Sequence, residues 1–273
     1  MTSRPTVLIT GGTRGLGLAC ARHMAKAGWN VALADISDKA VRVYGEAESV
    51  EKVLAELAAS SAKTGFYPGD LSDESRVQAV VRAVEGDFGR IDGLVTLAGG
   101  DICGTDDAAA GGKAPNNTAF VAHDDFLVIF NRNFLTCTFT CRAVAAAMRE
   151  RGRGKIVTVA SVSAGFGVTR ETSYAVAKAA VVHFTRCLAA ELRPAGVNVN
   201  CIAPGATDTG RFRATLKDRM PEDVQRLHGK GRLERLAQPE DVCRVIEFFL
   251  SPDSDFISGQ VLRVDGGQFT GPI

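Results

Sequence analysis

Val7-Leu8-Ile9-Thr10-Gly11-Gly12-Thr13-Arg14-Gly15-Leu16-Gly17 runs from an apolar stretch into a glycine-rich turn, and an Ala-rich amphipathic segment follows as far as Gly28. The apolar stretch is short and shows no polar alternation, which suits a strand covered on both faces. Gly11, Gly15 and Gly17 fall in the spacing Gly-x-x-x-Gly-x-Gly. A strand that turns through glycines into a helix presents backbone N–H groups and the positive end of the helix dipole, and the absent side chains let a pyrophosphate approach. The stretch therefore predicts a dinucleotide site at the first strand-to-helix turn.

The same alternation continues along the chain. Strands are predicted at Val7–Thr10, Val31–Asp35, Gly65–Tyr67, Ile91–Leu97, Lys155–Ala160, Val197–Ile202 and Val261–Val264. Helices are predicted at Gly15–Gly28, Glu48–Ala62, Asp73–Phe88, Asp124–Arg151, Ser173–Leu192 and Pro239–Leu250. This pattern predicts an α/β fold: a single doubly wound Rossmann domain over residues 1–273, with a seven-stranded parallel sheet and helices on both faces. Two segments break the rhythm. Residues 99–123 form a long polar loop rich in Gly, Ala, Asp and Asn. Residues 206–238 carry eight Lys or Arg residues (211, 213, 217, 219, 226, 230, 232 and 235) among five acids and read as a substrate lid with one or two short helices.

Composition narrows the partners. The 32 Lys+Arg and 31 Asp+Glu nearly cancel, leaving no basic excess to follow a phosphate backbone, so nucleic acid is not expected. No apolar run approaches the ~20 residues of a membrane span, and the apolar run near the start is too short for a signal peptide. The seven cysteines make no Cys-x-x-Cys pair and mostly sit in apolar segments, so no metal site is expected and the setting is expected to be reducing and cytoplasmic.

Asp35 ends the second predicted strand, where a carboxylate can accept from the adenosine ribose hydroxyls and would repel a 2′-phosphate. That favours NAD. Arg14 argues the other way, because a guanidinium beside the turn could hold a phosphate, and NADP stays open. Farther on, Tyr174-Ala-Val-Ala-Lys178 places a phenol and an ammonium one helical turn apart on one face. The lysine is expected to pull the tyrosine below its ordinary pKa of ~10, towards a value at which it can exchange a proton with an alcohol.

These motifs, in this order, resemble the short-chain dehydrogenase/reductase family, and the likeness extends from about Val7 to Gly267. Thr10 to Gly17 looks like the family's cofactor loop, which implies cofactor contacts from Gly11, Thr13, Arg14, Gly15, Leu16 and Gly17, followed by Asp35 and Ile36. Asp70 and Leu71 look like the pair that meets the adenine. Ala98 and Gly99 match the end of an Asn-Asn-Ala-Gly motif, with Thr96 and Leu97 in place of both asparagines. Pro204, Gly205, Thr207 and Thr209 look like the segment that holds the nicotinamide carboxamide.

The resemblance also implies the catalytic set. Ser161 would hydrogen-bond the substrate oxygen, Tyr174 would exchange its proton, and Lys178 would tune Tyr174 and bind the nicotinamide ribose. Asn133 would organise a proton relay; Asn131 competes for that role, and Asn133 is preferred because Phe-Leu follows it. The implied activity is hydride transfer between NAD and a secondary alcohol or ketone. A small polar substrate is expected (polyol, sugar or hydroxy acid), selected by the 99–123 loop. The alternatives are an NADP-dependent 3-oxoacyl-thioester reductase and a catalytically silent dinucleotide-binding regulator. A homo-oligomer, tetramer or dimer, is implied by the same resemblance.

Overall fold

The computed structural model describes residues 4–60, 62–216 and 221–271, with the side chains of residues 221–223 left undescribed. The lid cations Lys217 and Arg219 lie outside the described residues. Strands β1 (Thr6–Thr10), β2 (Asn30–Asp35), β3 (Thr64–Pro68), β4 (Gly93–Thr96), β5 (Gly154–Val159), β6 (Val197–Pro204) and β7 (Val261–Val264) form one sheet in the order β3-β2-β1-β4-β5-β6-β7. Every pairing is parallel. The helices are α1 (Gly15–Lys26), α2 (Val50–Ala58), α3 (Glu74–Phe88), α4 (His123–Glu150), α5 (Thr172–Leu192), α6 (Gly210–Ala214), α7 (Pro221–Arg226) and α8 (Pro239–Leu250).

The apolar strands are buried on both sides because helices cover both. Val7 and Ile9 face a core shared with Leu18, Met24, Val53 and Ile246 of α1, α2 and α8. Leu8, pointing the other way, joins Val81, Cys141, Val181 and Leu188 of α3, α4 and α5. Each such fully buried aliphatic side chain contributes about 1.5–3 kcal/mol, so the two layers hold the central strands from both faces. No helix among the described residues is long and apolar enough to cross a membrane.

Strand order reverses between β1 and β4, which opens a crevice beyond their carboxyl ends. β4 is shorter than the predicted 91–97. Its entry is turned at Asp92, whose carboxylate accepts the Thr6 N–H at 2.9 Å, and its exit at Ala98, whose N–H goes to the Thr10 hydroxyl at 3.0 Å. The two segments that break the rhythm both border the crevice. Arg132 of α4 pins the 99–123 segment by donating to the Ile102 carbonyl at 2.6 Å and to that of Gly104. The 206–238 segment contains α6 and α7 and is tied at its ends by a bridge between Thr207 and Ala237.

Candidate active site

The β1–α1 turn is built around its glycines. A Cβ on Gly17 would lie 1.9 Å from the Gly11 carbonyl oxygen, so no side chain fits there while the turn stays closed. Gly11, at φ +64°, abuts the Ala98 backbone, and a Cβ there would fall 2.9 Å away. The turn opens onto a cavity of about 520 Å³. One end is lined by Gly11, Arg14, Gly15, Leu16, Gly17, Asp35, Ile36, Asp70 and Leu71, and the other by Ser161, Tyr174 and Lys178. Ala98, Gly99, Pro204, Gly205, Thr207 and Thr209 lie on its walls. The glycine cradle and the acid at the end of β2 fit a dinucleotide.

Thr13 does not line the cavity. Its hydroxyl donates to Asp35 Oδ2 at 2.6 Å and its N–H to the same oxygen at 3.2 Å, while Asp35 Oδ1 takes the Ile36 N–H at 2.9 Å. Thr13 thus fixes the carboxylate that faces the cleft. Thr96 turns its hydroxyl towards Cys137 Sγ at 3.4 Å, and Leu97 lines the cavity without a polar group.

At the other end, Ser161 follows β5 and accepts from the Ser163 hydroxyl at 3.0 Å. Two α5 residues face it. Lys178 is buried, its ammonium donates to the Val159 carbonyl at 2.9 Å, and it stands 5.6 Å from the centre of the Tyr174 ring. The expected tuning is corrected here. Tyr174 is pushed up to about 12, first by burial and then by the Glu171 carboxylate, while Arg211 and the Ser161 hydroxyl pull it partly back. Burial lowers Lys178 to about 8, and Arg211 adds to that. Arg211 of the lid is thus a cation that favours the phenolate, beside the Lys178 ammonium over the ring.

Asn133 is fully buried and spends its amide on main chain. Its Oδ1 accepts the Gly100 N–H at 2.8 Å, and its Nδ2 donates to Gly100 O at 2.9 Å and Ile129 O at 2.8 Å. The side chain clamps the Gly99–Gly100 bend beside Lys178 and does not line the cavity, whereas Asn131 does.

Several cleft residues were given no individual role by the sequence reading. Glu171 lies three residues before Tyr174, a spacing that could have flagged it. Arg211 was one of eight lid cations, and nothing in the sequence singled it out; it packs so closely on Gly100 that a Cβ there would meet its guanidinium at 1.8 Å. Asp101 is 5% exposed, takes the Asn117 amide at 2.5 Å on Oδ1, and has no hydrogen bond on Oδ2, although the Lys113 ammonium lies 3.2 Å away. Lys113 also pairs with Glu171 at 3.2 Å. Part of the 99–123 segment serves the opposite end of the cavity. The Ala109 carbonyl accepts from Arg14 at 3.1 Å, and Asp107 binds Lys39 through its carboxylate and Ser37 through its carbonyl.

A parallel sheet with a glycine turn, an acid at the end of β2 and a Ser–Tyr–Lys set on one cavity defines a nicotinamide-dependent oxidoreductase. Residues 11–268 match the family model described as "Enoyl-(Acyl carrier protein) reductase". The chain is 36% identical to a cyclohexanol dehydrogenase of Rhodococcus sp. (strain TK6), over 95% of this chain and 94% of that protein. It is 32% identical to a levodione reductase of Leifsonia aquatica, over 98% and 97%. A solved levodione reductase structure superposes with a TM-score of 0.81 at 30% identity over 98% of each chain. A solved actinorhodin polyketide ketoreductase with NADPH superposes at 0.82 and 26% identity, over 98% of each chain. The chain belongs to the short-chain dehydrogenase/reductase family and is an oxidoreductase of alcohols and ketones.

Proposed function

We propose that the chain is an NAD-dependent dehydrogenase of small, polar secondary alcohols, or the reductase of the matching ketones. One observation carries this reading: Ser161, Tyr174 and Lys178 share a single cavity with the glycine turn and Asp35. Bound nicotinamide would supply the hydride acceptor or donor. The chain's own part is acid–base work. Tyr174, with its pKa near 12, is a neutral phenol at pH 7 and can donate its proton to the oxygen of a ketone being reduced. In oxidation it must first lose that proton, and the field of Arg211 favours the phenolate. The Ser161 hydroxyl can donate to the substrate oxygen and stabilise its developing charge.

NAD is favoured over NADP by the surroundings of Asp35. Thr13 and Ile36 hold the acid at the cleft. Two cations of the neighbouring loops are engaged by the 99–123 segment, Lys39 by the Asp107 carboxylate and Arg14 by the Ala109 carbonyl. A 2′-phosphate would meet an anion there, with Lys39 already paired and Arg14 keeping only its Nη1 without a protein acceptor. A polar substrate is favoured by the charged wall beside Tyr174, which includes Asp101, Glu171 and Arg211.

We further infer a cytoplasmic homo-oligomer, dimer or tetramer, supported by seven free cysteines and by Leu127 of α4 and Val176 of α5 exposed on the outer helices. The test of function is a cofactor-reduction screen with NAD and NADP against vicinal diols, polyols, hydroxy acids and plain cyclic alcohols. Faster turnover of the hydroxylated set with NAD is expected. A preference for NADP, or for cyclohexanol over its diols, would reject the corresponding half of the reading.

A further inference from the structure

Glu46 stands on the loop between β2 and α2, outside the lining of the cavity, yet its carboxylate joins the glycine turn to the start of the lid. Oε2 accepts the N–H of Gly15 at 2.5 Å, and Oε1 accepts the N–H of Gly210 at 2.8 Å. Gly15 is the first residue of α1, so its N–H is one of the groups that the helix start offers to a phosphate. Gly210 is the first residue of α6, where the lid begins. The side chain is closely seated: a Cβ on Gly210 would fall 2.9 Å from Glu46 Cγ, Cδ and Oε1.

A carboxylate and a pyrophosphate cannot share the Gly15 N–H. Both are anions, and the donor has one proton to give. We propose that Glu46 is a resident occupant of the cofactor's pyrophosphate position, that an incoming dinucleotide must expel it, and that its expulsion releases the lid at Gly210. Without cofactor, Glu46 satisfies the α1 terminus and ties the lid to the loop after β2. When pyrophosphate takes Gly15, the same event removes the acceptor from Gly210, so cofactor entry and lid freedom are coupled. The coupling also weakens cofactor binding, which favours exchange of the spent dinucleotide. It requires only that the cleft take a pyrophosphate-bearing nucleotide, and it holds equally for NAD and NADP.

ADP-ribose and adenosine separate this idea from the assignment of the redox cofactor. Binding of each is measured by calorimetry for the wild type, Glu46→Gln and Gly210→Ala; the last crowds Glu46 off from the lid side. Both variants are expected to bind ADP-ribose roughly tenfold tighter, because a competing anion is gone, and adenosine with unchanged affinity. Equal or weaker ADP-ribose binding, or the same gain for adenosine, overturns the competition. For the lid, amide exchange at Gly210 is compared in the wild type with and without saturating ADP-ribose, and in Glu46→Ala. The ligand is expected to speed wild-type exchange towards the rate of the Ala variant. A Gly210 rate that ADP-ribose leaves unchanged or slows overturns the coupling, and this comparison stands on the wild type alone should the Ala variant not fold.

Discussion

At the scale of single residues, the cleft is a set of groups held away from their ordinary acidities. Tyr174→Phe removes the proton that the reaction exchanges and should lower kcat/KM by about 10²–10⁴-fold, with cofactor binding retained by equilibrium titration. A variant that kept wild-type turnover would remove Tyr174 from the chemistry. Because burial raises this phenol, alcohol oxidation should accelerate as pH rises through the range 7–10, and ketone reduction should show no such rise. A flat oxidation profile would contradict that placement. Lys178 gives a thermodynamic counterpart. Its folded pKa, about 8, lies below the 10.5 of a free lysine, so between those values the unfolded chain binds the extra proton and stability rises with pH. Below pH 8 the full cost of the buried ammonium is present. Lys178→Met should therefore raise unfolding free energy at pH 7 by up to about 3 kcal/mol, and the gain should vanish above pH 10.5. Urea denaturation at pH 7 and pH 11 checks this, and no gain at pH 7 would contradict the burial cost. Sequence spacing put both residues on one helical face. It could not give their desolvation, which depends on the walls that other elements place around them.

At the scale of elements, strands and helices were legible because both-face burial leaves continuous apolar runs, and because glycines mark the first strand-to-helix turn, where a side chain does not fit. The ends were less legible. β4 stops at Thr96 because, two residues on, the Ala98 N–H bonds to the Thr10 side chain of a neighbouring strand, an event with no local signal. The 99–123 segment was legible as an insertion but not in its direction. Its first residues line the same cavity as Tyr174, while Asp107 and Ala109 reach the β1–α1 end through contacts more than sixty residues apart in sequence. Asp107→Ala should free Lys39 and tighten NADP binding about fivefold at low salt while leaving NAD affinity unchanged; the pair is exposed, so a small effect is expected. An unaltered NADP affinity in the variant would remove this segment from cofactor choice.

At the scale of the whole molecule, light scattering should return two or four times the 28.8 kDa of one chain. A mass of one chain would refute assembly. The overall architecture was the most legible level, since alternating strands and helices leave few right-handed ways to lay down a parallel sheet. The strand order has a further consequence for synthesis. β2 and β3 add outward from β1 on one flank, and β4 to β7 then add outward on the other in the order in which they are made. No late strand has to wedge between two earlier ones. A chain leaving the ribosome can grow its sheet by accretion at whichever border is free, and never needs to reopen what it has already zipped together.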